Sequence, residues 1–148
     1  WWKEAVSPHL AAKRAGMEID TSKIKTEFER KNKEFDYLLV EGAGGITCPL
    51  RLENHDKYLL TDLIKELNAP IIIVADGGLG TINSTLLTVE YARANNIKIA
   101  GIILNNFDKD SFMQQDNLKQ VEYLTGIKVV ATVAKNQDEI SLLKDLFK

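Results

Sequence analysis

Four short apolar runs most constrain what this chain can become. They are residues 36–40 (DYLLV), 70–75 (PIIIVA), 98–104 (KIAGIIL) and 128–133 (KVVATV). Each is bounded by turn residues, and none shows the every-other-residue polarity of a strand with one wet face. Such runs predict strands buried on both faces, the habit of a parallel sheet covered by helices. Between them the apolar spacing becomes helical. Residues 21–33 open on Thr and Ser, and 57–67 (KYLLTDLIKEL) lie behind Asp56, a candidate N-cap. Residues 82–95 follow a glycine-rich turn, 110–124 precede Gly126, a candidate C-cap, and 138–147 repeat the pattern. Strand–helix alternation at this pitch predicts an α/β fold, a parallel sheet flanked by helices and joined by right-handed crossovers. No linker, repeat or low-complexity stretch interrupts it, so the expectation is one domain over residues 1–148.

Composition narrows the function classes. Hydrophobic residues make up 45% and charged residues 27%, the balance of an ordered globular chain. A net charge of −2 argues against broad electrostatic binding to nucleic acid or to anionic membranes. No apolar run reaches the ~18 residues of a membrane span. Cys48 has no partner for an internal disulfide, which fits a cytoplasmic setting. The first residues, WWKEAVSPHL, lack the apolar region of a secretory signal. Two tryptophans at a chain end call for something to pack against, so an incomplete N-terminus is expected.

An open parallel sheet binds ligands beyond the C-terminal ends of its strands. The segments at those places are EGAGG, DGGLGTIN, NNFD and AKNQDE. Glu41 follows the DYLLV run and leads into Gly42, Ala43, Gly44 and Gly45. A carboxylate at a strand end is suited to hold Mg²⁺ beside a nucleotide's phosphates, and glycines let backbone N–H groups come close to phosphate oxygens. The plainer reading is a tight exit from the sheet. The segment Asp76-Gly77-Gly78-Leu79-Gly80-Thr81-Ile82-Asn83 turns a strand into a helix, whose first-turn N–H groups form a site for an anion such as a carboxylate. Thr81 could equally N-cap that helix. Asn105 and Asn106 each carry a donor and an acceptor and so could pair with an adenine edge, although two asparagines also favour a turn.

Other features carry less. His9 and His55 sit in no zinc-spaced cluster, and no Gly-x-Ser-x-Gly elbow occurs. Residues 23–34 (KIKTEFERKNKE) mix both signs, as a solvated helix face does. No Gly-x-x-x-x-Gly-Lys-Ser/Thr loop is present anywhere in the 148 residues.

Taken in order, SPHLAA, VEGAGGITCPL, IIIVADGGLGTINSTLLT and GIILNN resemble the dethiobiotin synthetases, from about Ser7 to Asp138. VEGAGG alone also resembles the cobyrinate amidases. The resemblance implies a P-loop NTPase-like fold, a homodimer, and a ligase reaction of biotin biosynthesis. In that reaction 7,8-diaminopelargonate, CO₂ and MgATP give dethiobiotin. One amine becomes a carbamate, the carbamate oxygen takes the γ-phosphoryl group, and the second amine displaces phosphate to close the ureido ring.

Carried across, the resemblance makes Glu41 the Mg²⁺ ligand, with Gly42, Ala43 and Gly44 as nucleotide-contacting loop. It makes Asn105 the reader of adenine, with Asn106 beside it. Ala134, Lys135 and Asn136 fall where the far side of the adenine pocket closes, although many members have proline at the position of Ala134. Gly80, Thr81, Ile82 and Asn83 fall where the substrate's tail carboxylate is held, contributed across the dimer interface. The family's Gly-Lys-Thr loop, active-site lysine and Mg²⁺-binding aspartate have no counterpart here and are expected upstream of Trp1. The sheet would then lack strands, leaving an apolar edge to be covered in another way. Two alternatives remain: a shortened, non-catalytic module that dimerises or binds nucleotide, and a cobyrinate-amidase-like fragment.

Overall fold

The computed structural model describes residues 4–53 and 56–140, which form two compact units meeting in sequence at Ala69 and Pro70. Trp1, Trp2, His55 and residues 141–147 of the expected tail helix lie outside the described residues; residues 138–140 have no regular structure.

The first unit holds helices α1 (Pro8–Arg14) and α2 (Thr21–Glu34), strands β1 (Pro49–Glu53) and β2 (Asp56–Leu59), and helix α3 (Leu60–Leu67). Proline in the first turn of α1 gives up only an N–H that has no helical partner anyway. Asp20 caps α2, its carboxylate accepting the Lys23 N–H at 3.0 Å. Strands β1 and β2 pair antiparallel. Leu50, Tyr58, Leu60 and Leu63 form a small core, with Ile19, Ile24 and Cys48 packed against it.

Two sequence expectations fail in this unit. The helix expected from residue 57 begins only at Leu60, because residues 56–59 pair with β1 instead. Asp56 therefore lies in a strand, and Asp62 closes the helix start, its carboxylate accepting the Leu59 N–H at 2.8 Å. Residues 36–40 form no strand, and Tyr37 and Leu39 are 73% and 82% exposed. An apolar run becomes a strand only beside a partner backbone, and none of the described strands pairs with this one.

The second unit meets the expectation closely. Strands β3 (Ile71–Asp76), β4 (Ile99–Asn105) and β5 (Val129–Thr132) form a parallel sheet in the order β3-β4-β5. Helices α4 (Thr81–Ala94) and α5 (Phe112–Thr125) connect them. Gly126 ends α5 in the left-handed conformation at φ +66°, where a side chain would be strained. Burial on both faces holds for the central strand, where Gly101 to Leu104 are all buried. It does not hold for edge strand β3, whose Val74 is 63% exposed. Ile73, Val89, Ile102, Leu104, Phe107 and Val121 make the core between sheet and helices. No helix among the described residues is long and apolar enough to cross a membrane.

Candidate functional site

The parallel register carries Asp76 and Asn105 to the same level at the C-terminal edge of the sheet. The backbone continues the alignment past the strands. Gly77 N–H donates to Asn105 O at 2.7 Å, and Phe107 N–H donates to Val133 O at 2.8 Å. The structure thus brings Asp76–Asn83, Asn105–Asn106 and Ala134–Asn136 to one edge. Glu41 to Gly44 belong to the other compact unit.

At this edge Asp76 organises the glycine turn. Its carboxylate accepts the Gly78 N–H at 2.7 Å and the Asn106 Nδ2–H at 2.9 Å. Those two donors, Asn106 first, hold its carboxyl below the usual carboxylate range. Asn106 sits in the left-handed region at φ +53°, a conformation asparagine tolerates. One of its two amide N–H donors is therefore engaged within the protein. The Asn105 side chain, half-buried, has no hydrogen-bond partner among the described residues, so its donor and acceptor both remain for a ligand.

The turn into α4 differs in one respect from a Thr-capped helix start. Gly80 is the N-cap, in the left-handed region at φ +91°. Thr81 is the first helical residue and 3% exposed, and its hydroxyl meets the Thr85 hydroxyl at 3.3 Å. Thr81 neither caps the helix nor presents its hydroxyl to the edge. Ile82 and Asn83 follow it in the first turn, and their N–H groups have no acceptor among the described residues; the Asn83 side chain is exposed. These donors, with the positive end of the helix dipole, suit a carboxylate.

Behind the turn, α5 closes tightly. Asn117, 7% exposed, donates through Nδ2 to Gly77 O at 3.0 Å and to Gly78 O at 3.1 Å. Gln114 Oε1 accepts the Asp108 N–H at 2.8 Å, and a Cβ added at Gly77 would stand 2.7 Å from it. Sequence reasoning missed Asp76 as organiser and both α5 side chains. One signal was available for Asn117: it falls with Val121 and Thr125 on the face of α5 that turns inward, where a polar residue needs a buried partner.

Beyond β5, Ala134 N–H donates to Gln137 Oε1 at 2.9 Å and Gln137 N–H to Ala134 O at 3.1 Å. Lys135 and Asn136 are exposed in this turn, with Asn136 at φ +63°.

In the first unit Glu41 is exposed, without a hydrogen-bond partner among the described residues. Gly44 lies at φ +78°, where a Cβ would come within 3.1 Å of Cys48 Sγ, so only glycine turns this corner without strain. Among the described residues no group of three His, Cys, Asp or Glu side chains could enclose a metal. A lone carboxylate still fits Mg²⁺, which keeps several waters and takes one or two carboxylates together with substrate phosphates. The same unit has a cavity of about 210 Å³ lined by His9, Lys13, Met17, Glu18, Leu50 and Arg51, and His9 Nδ1 is buried without a hydrogen-bond partner among the described residues.

Comparison with known proteins gives this edge its context. A family model described as an AAA domain matches residues 2–140. An ATP-dependent dethiobiotin synthetase BioD of Brachyspira hyodysenteriae is 51% identical over 132 residues, covering 89% of this chain and 60% of the relative. Synthetases of the same name from Clostridium botulinum and Clostridium perfringens are 43% and 44% identical, covering 98% and 89% of this chain. The chain spans about three-fifths of the length of these relatives, 58–63%. It belongs to the AAA domain family, and the resemblance of its motifs to dethiobiotin synthetases extends through nearly all of its length.

Proposed function

We propose that this chain is part of an ATP-dependent dethiobiotin synthetase, a ligase of biotin biosynthesis acting on 7,8-diaminopelargonate, CO₂ and MgATP. The observation that carries the reading is the sheet edge. An Asn105 amide without a hydrogen-bond partner among the described residues stands one strand away from a glycine turn whose first-turn N–H groups likewise have no acceptor among them and suit an anion. The relatives are named for this ATP-dependent activity, and their similarity covers 89–98% of the chain.

In this reading Asn105 pairs with the adenine edge while the turn after β5, at Ala134, Lys135 and Asn136, borders the base. Asn106 works indirectly, by tying Asp76 to the end of β4. Gly80, Ile82 and Asn83 bind the tail carboxylate of the diamino acid through backbone N–H groups and the Asn83 amide. Thr81 shapes the turn rather than donating to the ligand, its hydroxyl meeting Thr85 and its N–H reaching Gly78 O at 3.3 Å. Glu41 would hold Mg²⁺, with Gly42, Ala43 and Gly44 admitting phosphate oxygens to the backbone. Bound there, Mg²⁺ supplies charge neutralisation for phosphoryl transfer. With the turn contributed across the dimer interface, the base pocket of one subunit and the carboxylate turn of its partner would together supply the alignment that phosphoryl transfer to a carbamate requires. The active assembly is a homodimer, and a cytoplasmic setting keeps Cys48 reduced.

The test is dethiobiotin formation by the native polypeptide, supplied with 7,8-diaminopelargonate, bicarbonate and MgATP and read by mass spectrometry alongside ADP release. Glu41→Gln should cut turnover at least about tenfold and raise the Mg²⁺ requirement, since the amide loses the charge the cation needs. Binding of nucleotide with no dethiobiotin formed would point instead to a non-catalytic nucleotide-binding module.

A further inference from the structure

We propose that Asn117 is a positioning residue that sets the polarity of the anion turn, holding its carbonyls inward so that only N–H groups face the ligand. The inference rests on the carboxylate reading of that turn. Within a trans peptide the C=O of one residue and the N–H of the next point in opposite directions. Asn117 Nδ2 takes both the Gly77 and the Gly78 oxygens, at 3.0 and 3.1 Å, towards α5. The next two N–H groups therefore point away from α5. That of Gly78 is taken by Asp76 Oδ1 at 2.7 Å. That of Leu79 has no acceptor among the described residues, and Leu79 is 93% exposed. The outer face thus offers the Leu79, Ile82 and Asn83 N–H groups.

A device of this kind is needed because the turn contains two consecutive glycines. Without Cβ atoms, their peptides can rotate at little cost. Rotation of the Gly78–Leu79 peptide would replace an outward N–H by an outward oxygen, which repels a carboxylate. Asn117 is placed to prevent it: the side chain is 7% exposed and one turn from Val121, which is 1% exposed and locked in the core. Thr81 N–H also reaches Gly78 O, at 3.3 Å, but this bond is long and leaves Gly77 O without a second restraint. No other described side chain donates to both oxygens.

The experiment compares Asn117→Asp, Asn117→Gln and Asn83→Ala in the native protein by steady-state kinetics of dethiobiotin formation. Asn117→Asp keeps the shape but cannot donate, and it sets a negative charge against the two carbonyls. It should raise the KM for the diamino acid about tenfold while the KM for ATP stays within about twofold, the loss of one or two hydrogen bonds being about that large. Asn117→Gln, which keeps the donor, should recover most of that loss. Equal rises in both KM values, or none, would overturn the inference. Asn83→Ala separates it from the reading beneath: if that variant leaves the diamino acid KM unmoved, the carboxylate site itself is wrong. If Asn83→Ala raises the KM and Asn117→Asp does not, only the role of Asn117 fails. A measurement on the unaltered protein guards against variants that do not fold. The Leu79 amide resonance should shift on addition of the diamino acid and not with ADP alone; an unmoved resonance also overturns the proposal.

Discussion

Replacing Gly77 by alanine probes how tightly α5 closes on the glycine turn. The new Cβ would stand 2.7 Å from Gln114 Oε1 and 3.3 Å from both Cα and Cδ2 of Phe107. The Gln114 arm can swing aside, but its Oε1 then gives up the Asp108 N–H, a bond worth about 1 kcal/mol. Phe107 has less room, because its N–H is bonded to Val133 O and its ring is buried in the core. Crowding there adds about 1–2 kcal/mol. Alanine returns about 0.5 kcal/mol by restricting the unfolded chain. The net loss is about 1.5–2.5 kcal/mol, a fall in Tm of roughly 3–10 °C for a chain of this size. Two other glycines serve as controls. Gly80 has no neighbour within 4 Å but lies at φ +91°, so Gly80→Ala meets backbone strain alone, about 1 kcal/mol. Gly45 has neither a neighbour within 4 Å nor a positive φ, and Gly45→Ala should raise Tm by roughly 1–2 °C through the same restriction of the unfolded chain. Thermal melts followed by far-ultraviolet circular dichroism should rank the Tm values of the variants Gly77, Gly80, Gly45, lowest first. A Gly77→Ala protein that melts with the wild type would refute the packing argument.

Two further outcomes can be checked by urea unfolding. Thr81→Val or Thr85→Val alone leaves the other hydroxyl buried and unpaired, costing about 1–2 kcal/mol, whereas the double variant should cost less than the sum; strict additivity would show that the two hydroxyls do not pair. Burial, with the Glu66 and Asp62 carboxylates adding to it, pushes the Tyr58 phenol up to about 12. Since the folded value lies above the unfolded value of 10.0, the associated stability is complete below pH 10 and is lost as the pH rises from there towards 12. The loss amounts to about 2–3 kcal/mol. Tyr58→Phe should remove that alkaline loss at little cost near neutrality, because the buried hydroxyl makes no hydrogen bond of good geometry among the described residues. An alkaline slope that persists in the variant would assign it to other groups.

Much of the second unit was legible because its signals are local and agree with one another. Residues 70–75, 98–104 and 128–133 became β3, β4 and β5 within one or two residues at each end, and Gly126 ended α5 as its lack of a Cβ suggested. The first unit was harder to read, because there the outcome depends on partners. Residues 57–59 have helical spacing with those that follow, yet they pair with β1, a strand whose Arg51 and Leu52 show no strong pattern of their own. Residues 36–40 have the composition of a buried strand, but a strand is a relation between two backbones. Composition can state the need for a partner without supplying one.

The same distinction runs through the site. Glycines announce a turn that approaches an anion, and a strand-to-helix change announces free N–H groups, so residues 76–83 could be picked out from letters alone. Which way each peptide faces is decided elsewhere. Asn117 lies 39 and 40 positions from the carbonyls it holds, and Asn106 lies 30 from the carboxylate it ties. Thr81 shows the consequence: its side chain reads as a cap or a ligand, and packing against Thr85 makes it neither. A glycine turn is thus an undecided device. Its sequence permits outward donors or outward acceptors, and one buried amide on a neighbouring helix selects the donors that a carboxylate requires.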